Sequence, residues 1–274
     1  MVNEDNLIGS TADGLVVLRS SLKARELGIE DPFAEWFISE EGKHLLQLAK
    51  NTDRVYEEYN LARYKFTTSK LQKLSRNYKQ MLFLGSGFDC RPIWLDIFQD
   101  GKITVFEIDE PLKLQQKKNQ LKLHGQTLPK WNHFIPSNLE NNKIPELLLA
   151  KGLEQNKPLL ILSEGLFFFV SSQIVKKVLN PNWLGLVAGS RIIFDCWSIN
   201  RVAGLNTRLF EMIGRNLFHP FPFSTDLDSL ESNLSDLGYN NVVITPLANL
   251  VEEYYQKSIL DECESSWLII EALV

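Results

Sequence analysis

Residues 80–111 read QMLFLGSGFDCRPIWLDIFQDGKITVFEIDEP, and this stretch narrows the possible folds more than any other. The run Met81-Leu82-Phe83-Leu84 is continuously apolar, which predicts a strand buried on both faces, as in a parallel sheet. It ends in Gly85-Ser86-Gly87. A helix is expected over 91–98, and a second apolar run, Ile103 to Ile108, carries Glu107 and is followed by Asp109. Strand, glycine turn, helix and acid-ended strand form the first half of a nucleotide-binding α/β unit. The glycines allow close backbone approach to a ligand, with no Cβ in the way. Asp109, at the end of the second strand, can accept both hydroxyls of a ribose.

A dinucleotide site requires a third glycine, which lets the helix pack closely and present its N-terminus to a pyrophosphate. Here Cys90 stands in that place, preceded by Asp89. An acid beside the turn would repel a pyrophosphate. It suits a ligand with a ribose and no phosphate, and S-adenosylmethionine is such a cofactor. The residues also lack a plausible hydride-relay pair. An NAD-dependent oxidoreductase and a non-catalytic binding protein stay open as other classes.

A chain of 274 residues suits one large domain, or one with an attached cap. The net charge of -5 gives no general attraction to nucleic acid or anionic lipid. Cys90, Cys196 and Cys263 show no metal-ligand spacing and read as small buried residues in a reducing compartment. No metal is expected. The polar N-terminus predicts no signal peptide, and the longest apolar stretch, 158–170, is interrupted and too short to span a bilayer. A cytoplasmic location follows as the expectation.

Along the chain, helices are expected over 11–27, from Asp31-Pro32 onward, and over 53–74, so that residues 1–79 form a helical cap. Phe33, Ala34, Trp36 and Phe37 would be the buried face of the second of these. The core, 80–274, continues with helices over 112–123, 144–153, 171–179 and 228–237. Strands are expected over 131–135, 158–162, 191–197, 242–245 and 267–273. Gly238 is a predicted left-handed helix stop. The fold class is a three-layer α/β sandwich around a seven-stranded, mostly parallel Rossmann-like sheet with an antiparallel last strand. Residues 198–225 break the rhythm with Phe210, Phe218, His219, Phe221 and Phe223, and are read as an acceptor lid.

Four segments in order resemble the leucine carboxyl methyltransferase family, which includes bacterial O-methyltransferases of polyketide metabolism. They are Asp31-Pro32-Phe33-Ala34; Ala62-Arg63-Tyr64-Lys65-Phe66; Leu84 to Arg91 with Phe106 to Pro111; and Leu162-Ser163-Glu164-Gly165-Leu166. The resemblance implies a class I S-adenosylmethionine-dependent methyltransferase. By it, Arg63 would pair with the methionine carboxylate. Gly85, Ser86 and Gly87 would lie under the cofactor, and Asp109 would hold the ribose. Asn138 and Leu139 would lie beside the adenine, although the family often has Asp at the position of Asn138. Glu164 would sit near the amino group or the sulfonium. Arg19 or Lys23 matches a basic residue on the first helix, and the sequence does not decide between them.

The implied reaction is methyl transfer to oxygen, in which the protein chiefly aligns two reactants and excludes water. A carboxylate acceptor needs no base; a phenol would be helped by one, and His219 is the candidate. The acceptor is expected to be a small aromatic or polyketide-like molecule, with a protein C-terminus as the alternative. The chain would act as a monomer or homodimer.

Overall fold

The computed structural model describes residues 4–197, 201–204, 207–208, 218–223, 226–256 and 267–274. Most of the segment read as an acceptor lid, and Cys263, lie outside the described residues. The seven strands are β1 (Gln80–Leu84), β2 (Thr104–Asp109), β3 (Asn132–Pro136), β4 (Leu160–Ser163), β5 (Arg191–Trp197), β6 (Asn240–Pro246) and β7 (Trp267–Leu273). They form one sheet in the order β3-β2-β1-β4-β5-β7-β6. β1 to β5 pair in parallel, and β7 is inserted antiparallel between β5 and β6.

The period of two in each central strand divides its side chains between two cores. β1 sends Leu82 and Leu84 to one face and Met81 and Phe83 to the other. β5 does the same with Ile192, Phe194 and Cys196 against Ile193 and Trp197. Helices cover both faces, which is why these strands are mostly apolar on both sides and why the result has three layers.

The helices before β1 are α1 (Glu4–Arg19), α2 (Leu22–Glu26), α3 (Glu40–Thr52) and α4 (Tyr56–Leu74). Three expectations are corrected here. The single helix over 11–27 is two, because Ser20 Oγ donates back to Val17 O (2.8 Å) and Ser21 caps a new start by accepting from Ala24 N (3.3 Å). The helix expected from Asp31 is only a 3-10 turn, Ala34–Phe37. Asp31 Oδ2 is engaged by Arg19 Nε (2.8 Å) and Tyr64 OH (3.2 Å), and Oδ1 accepts from a single following amide, Phe33 N (3.1 Å). α3 was not read at all, although Ser39 accepts from Gly42 N (2.9 Å) and Glu40 and Glu41 occupy its first turn.

After β1 come α5 (Arg91–Trp94) and α6 (Asp96–Gln99), where one helix was expected. Leu95 between them is extended (φ -68°, ψ 131°). α7 (Pro111–Leu123) starts with proline at its first position, where a missing N–H costs nothing. α8 (Ile144–Ala150), α9 (Ser172–Val178) and α10 (Leu227–Asp236) follow as expected, and Gly238 stops α10 at φ +100°. α11 (Leu247–Tyr255) occupies part of what read as a spacer between the last strands. Among the described residues, no helix is long and apolar enough to cross a membrane, and no cluster of three or more ligating side chains could hold a metal.

Candidate cofactor site

The carboxyl ends of β1, β2, β4 and β5 open into a cavity of about 630 Å³, roofed by α1 and α3. Its floor is the turn after β1. Gly85 and Gly87 have φ +65° and +46°, left-handed backbone that favours glycine. A Cβ on Gly85 would lie 2.8 Å from Leu166 Cδ1, so the turn also needs glycine for space. The amides of Gly85 and Ser86 both donate to Ile108 O (2.9 and 3.2 Å), locking the turn to β2. Asp109 then reaches across: its Oδ2 accepts from Gly87 N at 2.6 Å. Burial raises the Asp109 carboxyl above the usual range, and the amides of Gly87 and Glu110 oppose this without cancelling it.

The wall opposite Asp109 is built on α4. Asn60, Arg63 and Thr67 follow one helical face and are all buried. Arg63 is only 2% exposed and not solvated on its helix. Its Nη1 donates to Asp195 Oδ2 (2.5 Å) and its Nη2 to Asn60 Oδ1 (2.9 Å). Its Nε lies 3.4 Å from Glu164 Oε1 and makes no hydrogen bond among the described residues. Gly165, at φ +71°, lets the guanidinium lie against the backbone: a Cβ there would be 3.4 Å from Nη1 and Nη2.

Glu164 Oε2 accepts from Thr67 Oγ1 (2.7 Å) and Arg91 Nη2 (2.9 Å). Arg91 is the hub of this wall. It also clamps Asp89, with Nε 3.0 and 2.9 Å from the two oxygens, and packs its guanidinium 4.5 Å from the Tyr64 ring centre. Asp89, read from the sequence as an acid that repels phosphate, is thus an ion-pair partner with Arg91. Burial is the largest single influence and acts to raise Asp89 and Glu164; the charge of Arg91 together with Arg19 and Lys117 at Asp89, and with Arg63 and the Thr67 hydroxyl at Glu164, outweighs it and holds both carboxyls below their ordinary range.

The sign of the pH dependence follows. A depressed carboxyl pKa contributes stability that is present above the unfolded value and lost as pH falls through the folded one. The melting-temperature gap between the wild type and Arg91→Met should therefore be full above about pH 5 and shrink below about pH 4. Melting curves of both proteins across that range check this; a gap that widens in acid would contradict the assigned pairing.

Of the residues singled out from the sequence, Arg63, Gly85, Ser86, Gly87, Asp109 and Glu164 all line the one cavity. Asn138, Leu139 and His219 do not. Asn138 is exposed and its side chain accepts from Asn141 N (3.2 Å). Leu139 is buried in the core. His219 is exposed, its amide donating to Phe168 O (2.6 Å), while its neighbour Phe218 lines the cavity. The choice between Arg19 and Lys23 is made by packing: Arg19 lines the cavity, and Lys23 pairs with Glu57 (2.5 Å).

A buried ion pair that supports the turn is not singled out by the sequence. Glu107 and Lys117 are both fully buried and paired at 2.5 Å beneath the turn, with Lys117 Nζ also donating to Asp89 O. The signal was present, since Lys117 occupies the middle of the stripe Leu114, Lys117, Leu121 on α7, where an apolar residue is expected.

A sheet of this strand order with a glycine turn at β1 and an acid at the end of β2 is the Rossmann-like architecture of class I methyltransferases. The family model for leucine carboxyl methyltransferase matches residues 15–181, more than half of the chain, and the chain belongs to that family. A provisionally named S-adenosyl-L-methionine-dependent methyltransferase of Mycobacterium avium strain 104 is 26% identical over 209 residues, covering 71% of this chain and 66% of that protein. The chain thus spans slightly less than two thirds of that relative's length. A Mycobacterium sp. strain KMS protein of the same name is 30% identical over 200 residues, covering 68% of this chain and 74% of its own. Among solved structures, a provisionally titled methyltransferase from Thermobifida fusca YX shares the fold, with TM-score 0.62, 15% identity, and coverage of 97% of this chain and 93% of that one.

Proposed function

We propose that this chain is an S-adenosyl-L-methionine-dependent O-methyltransferase acting on a small aromatic or polyketide-like acceptor. The observation that carries this reading is the grouping of complementary parts around one cavity. A glycine floor, a ribose-sized acid and a guanidinium–carboxylate pair lie together there. Each part of the cofactor finds a matching group. Arg63 keeps unused N–H groups, including the orphaned buried Nε, for a carboxylate. Glu164 Oε1 faces the same place and suits an ammonium. Among the described residues, Asp109 Oδ1 accepts only from the Glu110 amide (2.7 Å), leaving lone pairs for ribose hydroxyls. Leu112, exposed at the cavity mouth one residue after Pro111, offers an apolar surface to a base.

When bound, the cofactor supplies an activated methyl group on sulfur. The chain's own residues bind it, orient it and exclude water. The roof is apolar, with Leu15, Leu45, Leu46 and Ala49, and Phe168 and Phe169 line the same cavity, which favours a flat hydrophobic acceptor. A protein C-terminus is the alternative acceptor suggested by the family's name.

Calorimetric titration with S-adenosylmethionine, S-adenosylhomocysteine and NAD tests the cofactor. Binding of the first two without NAD is the expected result; binding of NAD alone would overturn the reading. Asp109→Ala should weaken S-adenosylhomocysteine by about 2–3 kcal/mol, since hydrogen bonds to a charged acceptor are lost. Unchanged affinity would remove Asp109 from the site.

A further inference from the structure

Asp195 does not line the cavity; it stands behind Arg63, at 2% exposure, near the end of β5. Three groups from three elements converge on its carboxylate. Arg63 Nη1 of α4 donates to Oδ2 at 2.5 Å, Trp267 Nε1 of β7 donates to Oδ2 at 3.1 Å, and Gly165 N after β4 donates to Oδ1 at 2.7 Å. The ring of Trp267 also packs 5.2 Å from the Arg63 guanidinium. This carboxylate therefore fixes both the guanidinium and the backbone that follows Glu164.

The arrangement has a competitor within reach. Glu164 Oε1 already forms a loose ion pair with Arg63, 3.4 Å from Nε and without a hydrogen bond, and a small side-chain rotation would close it into a direct one. If that pair closed, the guanidinium and the carboxylate would neutralise each other. Neither would then be available to a zwitterionic ligand. Asp195 pulls the guanidinium the other way, by a charge-assisted hydrogen bond at its Nη1 end.

We propose that Asp195 is a positioning residue that holds Arg63 off Glu164, so that the two side chains meet the carboxylate and ammonium of the cofactor's amino-acid portion. This rests on the cofactor reading above. It makes a discriminating prediction, because the adenosine half of the ligand lies against Asp109 and the glycine turn, which Asp195 does not touch.

The test uses two nucleosides, S-adenosylhomocysteine and 5′-methylthioadenosine, which carries the same adenosine thioether without the amino acid. In Asp195→Asn the shape is kept and the charge is lost. The affinity for S-adenosylhomocysteine should fall on the order of tenfold or more, the scale of one charge-assisted hydrogen bond. The affinity for 5′-methylthioadenosine should stay within about twofold. Equal losses for both ligands, or no loss for either, overturn the proposal. Should Asp195→Asn fail to fold, Trp267→Phe decides: it removes one donor to the carboxylate and should shift the ratio of the two affinities in the same direction, and an unchanged ratio overturns the proposal. Wild-type protein that binds neither nucleoside overturns the cofactor reading itself, an outcome distinct from all of these.

Discussion

Lys117→Met is expected to lower the stability by about 3–5 kcal/mol, the cost of leaving a buried charge without its partner. Lys117 and Glu107 are fully buried, and the nearest compensation left to Glu107 would be Asn132 Nδ2, at 2.6 Å. Burial works against the Lys117 ammonium, and the neighbouring Glu107 and Asp89 together outweigh it, raising Lys117 above its ordinary range. Methionine fills the same volume along the Leu114–Leu121 stripe, which limits the packing loss. The contrast that isolates charge is the double variant Glu107→Gln/Lys117→Met, expected to recover most of the loss because no charge is stranded. Urea unfolding of the three proteins, compared at constant m, measures both quantities. A single-variant loss below about 1 kcal/mol would mean that water or another group satisfies Glu107. Because Lys117 also donates to Asp89 O, the same variant should loosen the turn that carries the glycines.

Arg91→Met is the second large effect. It removes the guanidinium shared by Asp89 and Glu164, leaving Asp89 a backbone amide and Glu164 Thr67 and Arg63, and the expected loss is again about 3–5 kcal/mol. For a chain of this size, that corresponds to a fall in melting temperature of roughly 6–20 °C. The two carboxylates would then repel each other beside the cavity, so cofactor affinity should fall along with stability. Arg91→Lys should not restore the wild type. A lysine cannot contact both oxygens of Asp89 through a planar fork, reach Thr67 and Thr68 with a second nitrogen, and stack on Tyr64. Differential scanning calorimetry with and without S-adenosylhomocysteine separates the two consequences. A lysine variant that matches the wild type in both would show that only the charge matters.

The two arginines of this wall differ in how they could be read from the sequence. Arg63 was found through its resemblance to a family helix, and its stripe with Asn60 and Thr67 agrees with a polar face turned inward. Arg91 closes the Leu84 to Arg91 segment of the resemblance, but nothing in that segment assigns it its partners. Its role depends on α4 and the end of β4 arriving on either side of it, which local sequence does not encode. The same holds for Asp195: within β5 it is one polar residue in an apolar strand, and only strand order and the insertion of β7 bring Trp267 and Arg63 to it.

Local chemistry determined the elements with strong periodicity or strong stops. The apolar strands, the glycine turn, the proline start of α7 and the left-handed stop at Gly238 were all legible, because each is decided within a few residues. So was the acid at the end of β2. The helices decided by competition were not legible. Ser20 and Ser21 break one helix, and the carboxylate of Asp31 is shared between the Phe33 amide and the distant Arg19 and Tyr64. The cavity itself, the choice of Arg19 over Lys23, and the ion-pair network that turns Asp89 from a repelling acid into a clamped one belong to tertiary structure. Their energies come from removing charges from water and facing them with partners far along the chain, and that pairing exists only once the sheet has set its strand order.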